Sequence, residues 1–251
     1  MHNDAEYVRQ CIDSVLAQTY TNWEMIVVDD CSTDDSFEIV KSYGCEKIRL
    51  LHNDKNMGAA YSRNRALREA DGDYVAFLDA DDWWAPEKLE RQLKFMQDLQ
   101  IAFSCTAYYR MRVNGTRVII TAPYIMSHKR MKKCSYVGCL TAMYDRHKVG
   151  LIQVEETIRK RNDYAMWLQV SQRFDCYFLA DPLAYYRVRE NSLSRVSDFS
   201  LLRSHKYLFR KQMKYSWIHS WFCAVRNGYN SYRKRKRYVQ PDGTELSNIF
   251  N

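Results

Sequence analysis

Three aspartates at positions 79, 81 and 82 are the residues in this chain best suited to chemistry. They follow residues 74–78 (YVAFL), an apolar run of β-formers that predicts a buried strand. Side chains two apart on an extended chain point to the same side, so Asp79 and Asp81 can share one divalent cation, or divide between a cation and a sugar hydroxyl. Such oxygen ligands suit Mg²⁺ or Mn²⁺ carrying a diphosphate. A solvated acidic turn is the alternative, and the position directly after a buried strand favours the site.

A second acidic pair, Asp29 and Asp30, follows another apolar run at residues 24–28. Because the carboxyl ends of parallel strands meet at one edge of a sheet, we expect the two clusters to lie together. The sequence therefore predicts a nucleotide-type pocket, although it contains no Gly-x-Gly-x-x-Gly or Walker sequence that would bind phosphate through backbone amides.

The elements that must position these residues alternate. Apolar spacing predicts helices over residues 5–19, 32–43 and 56–70 and strands over residues 24–28, 48–51 and 74–78. This alternation predicts an α/β fold with a doubly wound, mostly parallel sheet. Beyond residue 99 we expect a hairpin around Asn114-Gly115, then helices over residues 128–133 and 162–173 and strands over residues 140–144, 176–179 and 183–188.

Composition narrows the class of protein. The 251 residues are 46% hydrophobic and 14% aromatic, which predicts one large ordered domain or one domain with an appendage. No apolar run reaches about 18 residues, and the polar, acidic N-terminus differs from a signal peptide. Eight cysteines without paired or zinc-like spacing indicate reduced thiols of a cytoplasmic protein. His147, His205 and His219 show no partner and are expected at the surface.

The last fifty residues differ from the rest. No acidic residue occurs between Asp198 and Asp242, and residues 233–237 (RKRKR) are all basic. An apolar stripe precedes them at helical spacing, formed by Trp217, Ile218, Trp221, Phe222 and Val225. The pattern predicts a helix that lies on an anionic membrane surface. The alternative is a stripe packed against the rest of the protein beside a solvated basic run.

Four motifs resemble the family 2 glycosyltransferases. Residues 27–36 (VVDDCSTDDS) resemble the signature VVDDGSTDDS, and residues 56–64 (NMGAAYSRN) resemble the N-x-G…ARN segment. Residues 77–82 (FLDADD) resemble the D-x-D motif, and residues 186–192 (YRVRENS) the YR-x-H-x-x-S motif. The resemblance covers roughly residues 3 to 200, and residues 138–145 (GCLTAMYD) look like the branch that builds teichuronic acid or capsular polysaccharide.

The resemblance implies a GT-A fold that moves a sugar from a nucleotide diphosphate, usually UDP, to a hydroxyl with inversion. By position, Asp30 or Asp29 would accept from the uracil N–H, and Asn56 and Arg63 would hold the base or phosphates. Asp79 would bind the ribose or sugar, Asp81 a Mn²⁺ or Mg²⁺ ion, and Asp163 would be the general base. The acceptor would be a glycan or lipid-linked glycan at the inner face of the plasma membrane.

The resemblance also sets the expected domains: residues 1–100 as the nucleotide-binding half, 101–198 as the acceptor half, and 199–251 as a basic helical tail. Two departures accompany it. Asn162 stands where the family usually has Glu, and the family strand VSIIIPTYN would align ahead of His2, so we expect the sheet to lack an inner strand and the protein to be marginally stable.

Two other functions fit parts of the sequence. A sugar nucleotidyltransferase also combines an α/β sheet, a nucleotide sugar and a metal, but it requires a Gly-rich phosphate loop with Arg or Lys, which this sequence does not contain. A module that binds nucleic acid would suit the basic tail alone, yet no recognition motif accompanies it. Trp83 and Trp84 suit either packing or an acceptor platform.

Overall fold

The computed structural model describes residues 1–111, 114–189 and 198–244. The helices are α1 Val8–Leu16, α2 Ser36–Lys41, α3 Ala59–Glu69, α4 Lys88–Asp98, α5 His128–Met131, α6 Arg146–Val149, α7 Asn162–Val170, α8 Asp198–Lys211 and α9 Trp217–Arg237. The strands are β1 Met25–Asp29, β2 Ile48–His52, β3 Tyr74–Ala76, β4 Trp83–Trp84, β5 Phe103–Met111, β6 Arg117–Ile120, β7 Ile125–Met126, β8 Met143–Asp145, β9 Cys176–Arg187 and β10 Val239–Pro241.

The first hundred residues alternate helix and strand as predicted. β1 and β2 pair in parallel with Met25 opposite Ile48. The apolar positions of α1 at Val8 and Ile12 recur every four residues, so they lie on one face and pack with Val27 of β1 and Val40 of α2 in one small core. The carboxyl end of β1 thereby lies close to the start of α3.

A larger mixed sheet carries the second acidic cluster. Its order is β10-β6-β5-β8-β3, and β9 adds pairings to β4, β5 and β7. β5 and β9 run parallel, and the other pairings in this sheet are antiparallel. β9 is continuous although Pro182 lies within it, and the pairing with β5 shifts register on both sides of Ala107, the residue opposite Pro182.

A cleft separates the two sheets. β3 pairs with β8, β1 pairs with β2, and no strand within the described residues lies between β1 and β3. At one end, the Met1 amino group donates to Val28 O at 2.8 Å and Asp30 N donates to Met1 O at 2.9 Å, the pattern of a parallel bridge with Asp29. The cleft has a volume of about 1960 Å³ and extends from this point to the acidic residues after β3.

The tail packs on the same core as the sheet. Leu208 and Phe209 of α8 and Cys223 of α9 belong to the largest hydrophobic cluster, and β10 extends the sheet beside β6. The predicted domain boundary after residue 198 stays a prediction. No helix in the described part of the chain is long and apolar enough to cross a membrane.

Two local expectations are wrong. Residues Cys139–Thr141 form a 3₁₀ turn, so the strand expected from residue 140 begins only at Met143, after the extended Ala142. His205 is buried rather than exposed, and its ring lies edge-on to Tyr164, where burial lowers its pKa to about 3. His205 lies on the buried side of α8, and the sequence shows no charged partner for that histidine.

Candidate active site

Asp30 organises the loop that enters the cleft. Its Oδ1 accepts from Asn53 Nδ2 and from the Met57 amide, both at 2.8 Å, and its Oδ2 accepts from the Gly58 amide at 2.7 Å. Burial alone would raise the pKa of Asp30, but these hydrogen bonds outweigh it and lower the pKa below its ordinary value. The ionised carboxylate therefore fixes the backbone that presents Asn56, which is exposed at the mouth of the cleft.

Asp29 lies on the other side of β1. Its carboxylate is fully buried, accepts from Ser32 Oγ at 2.5 Å and lies 2.9 Å from His52 Nδ1. Adjacent residues on a strand point to opposite faces, so when Asp30 turns to the cleft Asp29 cannot. Asp29 does not line the cleft, and its contacts support the turn after β1.

Two loops beside the cleft contain a residue with a positive φ angle. Gly58 has φ 89° just before α3, a region that glycine enters without strain. Cys31 has φ 60° in the turn after β1, where the family signature has glycine. A side chain in this region is unfavourable for an L-residue, so the turn is held by its surroundings: Ser32 donates to Asp29, and Asn3 accepts from the Thr33 amide at 2.8 Å.

Arg63 links three segments. Its guanidinium, which projects from α3, donates to Asp79 Oδ1 after β3 and to Asn162 Oδ1 at the start of α7. Burial would lower the pKa of Arg63, but the Asp79 charge outweighs this and raises the pKa. Because the guanidinium stays charged, it provides a fixed cation next to the acidic cluster.

The acidic cluster carries more negative charge than its partners neutralise. Asp81 Oδ2 lies 2.8 Å from Arg189 Nε, an ion pair whose N–H is not aligned for a hydrogen bond. Asp82 is buried; its Oδ1 accepts from the Arg187 amide at 2.8 Å, and its Oδ2 has no partner. Burial and then the neighbouring Asp79 raise the pKa of Asp81, and burial and then Asp81 raise the pKa of Asp82.

These residues fit a divalent cation. Asp81 and Asp82 are neighbouring carboxylates with raised pKa values, and Asp82 Oδ2 is buried without a partner. An added positive charge would stabilise the ionised form of both side chains, so they fit a cation site. Oxygen ligands favour Mg²⁺ or Mn²⁺ over softer metals. No group of three or more His, Cys, Asp or Glu in the described segments has metal-binding geometry without the ion.

Asp163 lines the same cleft as the acidic cluster. It lies in the first turn of α7, half-buried, directly after Asn162. Arg161, which precedes the helix, has φ 63°, so the chain turns sharply where the two residues enter the cleft. Asn162 accepts from Arg63, and this leaves Asp163 as the acid of the pair.

The structure brings most of the predicted residues together. One cleft is lined by Asp30, Asn56, Arg63, Asp79, Asp81 and Asp163, and Asp29 alone lies outside it. Two residues of the site were not predicted from the sequence, Asp4 and Arg189. They pair at 2.6 Å and join the first loop to the end of β9. The signal was present, because Arg189 stands where the YR-x-H-x-x-S motif has histidine; residues 190–192 of that motif lie outside the described residues.

The two tryptophans after the acidic cluster are packing residues. Trp84 is buried and donates to Leu140 O at 2.8 Å. Trp83 stacks on Tyr185 with ring centroids 5.1 Å apart, and the Arg187 guanidinium lies 4.7 Å from the centre of the Trp83 ring. Both the ring of Tyr185 and the guanidinium of Arg187 lie against Trp83, so the structure favours packing over an acceptor platform.

Comparison with solved structures identifies the fold. A fragment of TarS from S. aureus in complex with UDP superimposes with a TM-score of 0.67 at 21% identity, over 88% of this chain and 66% of that one. The mannosyltransferase PcManGT from Pyrobaculum calidifontis, in complex with GDP-Man and Mn²⁺, gives 0.64 at 16% identity, over 99% and 76%. The predicted α/β, GT-A-type fold is confirmed.

Comparison of sequences identifies the family. Residues 1–149 match the profile described as glycosyl transferase family 2. The chain is 38% identical over 239 residues to TuaG of Bacillus subtilis (strain 168), named for teichuronic acid biosynthesis, covering 93% of this chain and 94% of TuaG. It is 32% identical over 208 residues to WfaP of Escherichia coli, a UDP-Glc:alpha-D-GlcNAc-diphosphoundecaprenol beta-1,3-glucosyltransferase, covering 82% of each. A match over more than half of the chain and a relative this similar along nearly its whole length show that the chain belongs to glycosyltransferase family 2.

Proposed function

We propose that this glycosyltransferase moves a sugar from a UDP-sugar to a hydroxyl of a cell-surface glycan or lipid-linked glycan, with inversion at the anomeric carbon. The observation that carries the proposal is the cleft itself. A partly buried guanidinium from Arg63, the carboxylates of Asp79 and Asp81, and a separate carboxylate from Asp163 line one space. Family membership sets the nucleotidyltransferase and nucleic-acid alternatives aside.

The donor is bound at the carboxyl end of β1. Asp30 is ionised and already accepts from three groups, so it shapes the loop at residues 56–58 and keeps lone-pair capacity for the N–H of a uracil ring. Asn56 lies exposed in that loop and can reach the base or phosphates. Asp29 supports the turn from behind. Asp79, held by Arg63 and partly exposed, is placed to bind the ribose or the donor sugar.

Positive groups in the cleft stabilise the negative charge of the leaving diphosphate. Departure of UDP builds negative charge on the diphosphate, and Arg63 is a permanent cation within the same cleft. A divalent cation bound by Asp81, with help from Asp79, would supply further positive charge to the leaving diphosphate. Arg189, paired with Asp81 and Asp4, is a third positive group that can turn toward the diphosphate.

Proton removal is the role of Asp163. A general base for an inverting transfer must lie on the face of the sugar opposite the leaving group. Asp163 is on α7, a different element from the acidic cluster after β3, and both line the cleft. Asn162 accepts the Arg63 hydrogen bond, whereas the Asp163 carboxylate makes no hydrogen bond within the described residues and remains able to accept a proton from the acceptor hydroxyl.

The acceptor and its location follow from the relatives. WfaP is named for a diphosphoundecaprenol-linked acceptor and TuaG for teichuronic acid biosynthesis. A lipid-linked acceptor would be embedded in the membrane, so we place this enzyme in the cytoplasm at the inner face of the plasma membrane.

The test is a screen of UDP-sugars with Mn²⁺ or Mg²⁺ and a short polyprenyl diphosphate sugar as acceptor. We expect a UDP-sugar to be consumed faster with the acceptor than without it, and proton NMR of the product to show the inverted anomeric configuration. Turnover confined to GDP-sugars would contradict the UDP donor. A product of retained configuration would contradict the role of Asp163.

A further inference from the structure

Helix α9 presents an apolar stripe to the outside. Ile218, Phe222, Val225, Tyr229 and Tyr232 recur every three or four residues, so they share one side of the helix, called here the outer face. Each is between 52% and 75% exposed. The outer face extends over about 21 Å at 1.5 Å per residue. A contiguous exposed apolar surface of this kind marks an interaction site.

The opposite side of α9 fixes the orientation of the helix. Ser220, Cys223, Ala224 and Asn227 are buried. Asn227 Nδ2 donates to the Tyr164 hydroxyl at 2.8 Å in the core. With its polar contacts satisfied on the inner side, α9 cannot rotate to bury the outer face, so the alternative in which the stripe packs against the protein does not hold for these residues.

Positive charge surrounds the outer face. Between Asp198 and Asp242 the sequence has no acidic residue and eleven basic ones: Arg203, Lys206, Arg210, Lys211, Lys214, Arg226 and residues 233–237. Three of these cations lie over rings of the outer face, Arg226 at 5.5 Å from Phe222, Arg233 at 6.0 Å from Tyr229 and Lys236 at 4.8 Å from Tyr232. Aromatic rings with cations beside them suit the level of lipid headgroups.

We propose that the outer face of α9 docks on a lipid bilayer that contains anionic phospholipid. The rings and Ile218 would enter the headgroup region, while the flanking cations bind phosphate groups. A second copy of this chain is a poor occupant, because it would bring two sets of the same cations together. The proposal goes beyond the transfer reaction, and binding to vesicles can be measured without it.

The basic run does not act as one unit. Arg233, Arg235, Lys236 and Arg237 are exposed and free to meet the membrane. Lys234 instead points inward, donates to Ser135 O at 2.8 Å, and has a pKa lowered by burial. Each exposed cation near an anionic surface strengthens binding by about fivefold at most. Binding is therefore expected to be reversible and sensitive to salt.

The test is co-sedimentation of the full chain with vesicles of phosphatidylcholine, with and without phosphatidylglycerol. We expect sedimentation only with the anionic vesicles, decreasing as salt rises. One variant removes the exposed charges: Arg233→Gln, Arg235→Gln, Lys236→Gln and Arg237→Gln. A second keeps every charge and changes the stripe: Ile218→Ser, Phe222→Ser and Val225→Ser. Each should weaken binding more than tenfold.

A matched control loses the same charge elsewhere, by Lys41→Gln, Lys47→Gln, Arg91→Gln and Lys94→Gln, and should sediment like the unmodified chain. The proposal is wrong if the unmodified chain stays in the supernatant at low salt, or if the control weakens binding as much as the tail variant. It is also wrong if the stripe variant sediments normally, because the outer face then makes no contact. A dimer that dissociates on changing the stripe would instead identify the face as an interface between copies. Circular dichroism of each variant checks folding, and the unmodified chain alone can refute the proposal.

Discussion

The cleft lined by β1 and β3 has a volume of about 1960 Å³, and a strand that fills part of it should stabilise the protein. The perturbation is to replace Met1 by the segment VSIIIPTY, fused ahead of His2. Met1 already forms one parallel bridge with Asp29, so a strand that continues backward from this point is in register with β1. Its other edge would face β3.

The expected gain can be worked from the exposed edges. β1 offers open positions at Ile26 and Val28, and β3 is three residues long, so about four new backbone hydrogen bonds at ~1 kcal/mol each are available. Burial of three isoleucines adds about 6 kcal/mol. Ordering the seven added residues costs about 8 kcal/mol. The net gain of about 2 kcal/mol corresponds to a rise in Tm of about 4 to 8 °C for a chain of this size.

The assay is thermal unfolding by circular dichroism, combined with hydrogen exchange. The amides of Ile26 and Val28 face the open edge, because Met25 N bonds to Lys47 O on the β2 side and Asn53 N to Asp29 O. These two amides should become protected. A control segment GSGSGSTY has the same length and moves the charged amino terminus equally, but it has no apolar side chains. Equal Tm values for the two fusions, or unprotected Ile26 and Val28, would refute the reasoning.

Four further predictions concern single residues. Asp163→Asn should keep UDP affinity and lower turnover by about 10²- to 10⁴-fold, and a parallel loss of UDP affinity would place the base elsewhere. Asp81→Ala should abolish Mn²⁺-dependent UDP binding with an unchanged circular dichroism spectrum, and full Mn²⁺-dependent binding would remove its metal role. Arg189→Gln should raise the Mn²⁺ affinity of the donor-free protein by up to about fivefold, because the partly exposed ion pair that it removes is worth up to ~1 kcal/mol. Electron paramagnetic resonance measures this affinity, and an unchanged value would mean that the ion pair does not compete with Mn²⁺. Cys31→Gly should raise the free energy of unfolding by about 0.5 to 1 kcal/mol, because the strain that glycine removes at φ 60° exceeds the cost of the added freedom of the unfolded chain. Cys31→Ala should give no gain in Tm.

The order of elements in the first hundred residues could be read from periodicity, because each helix and strand there has an apolar face in one of the hydrophobic cores. Periodicity failed where a local signal conflicts with long-range pairing. Pro182 predicts a break between two strands, yet β9 continues through it because β5 supplies a register shift at that point. The strand expected from residue 140 similarly gives way to a turn held by Thr141 Oγ1, which donates to Gly138 O at 2.8 Å.

The site was predictable in its residue types and less so in its geometry. Adjacent aspartates on a strand must point to opposite faces, so the sequence excludes a shared role for Asp29 and Asp30 but cannot say which one faces the cleft. The structure decides this through Asn53 and the amide of Gly58, which lie more than twenty residues further along the chain. Arg189 could not be paired with Asp81 from local sequence, because more than a hundred residues separate them.

Two departures from the family motifs change the charge of the cleft in the same direction. Asn162 stands in place of an acid and accepts from Arg63, so among the described residues the guanidinium forms a direct ion pair with one carboxylate, that of Asp79. Arg189 stands in place of a histidine and brings a permanent positive charge to Asp81. Both changes make the space around the diphosphate more positive than the motifs imply. A protein built this way can hold a dianionic diphosphate partly with its own arginines, so its UDP affinity should depend less steeply on Mn²⁺ than that of a relative with the glutamate and the histidine.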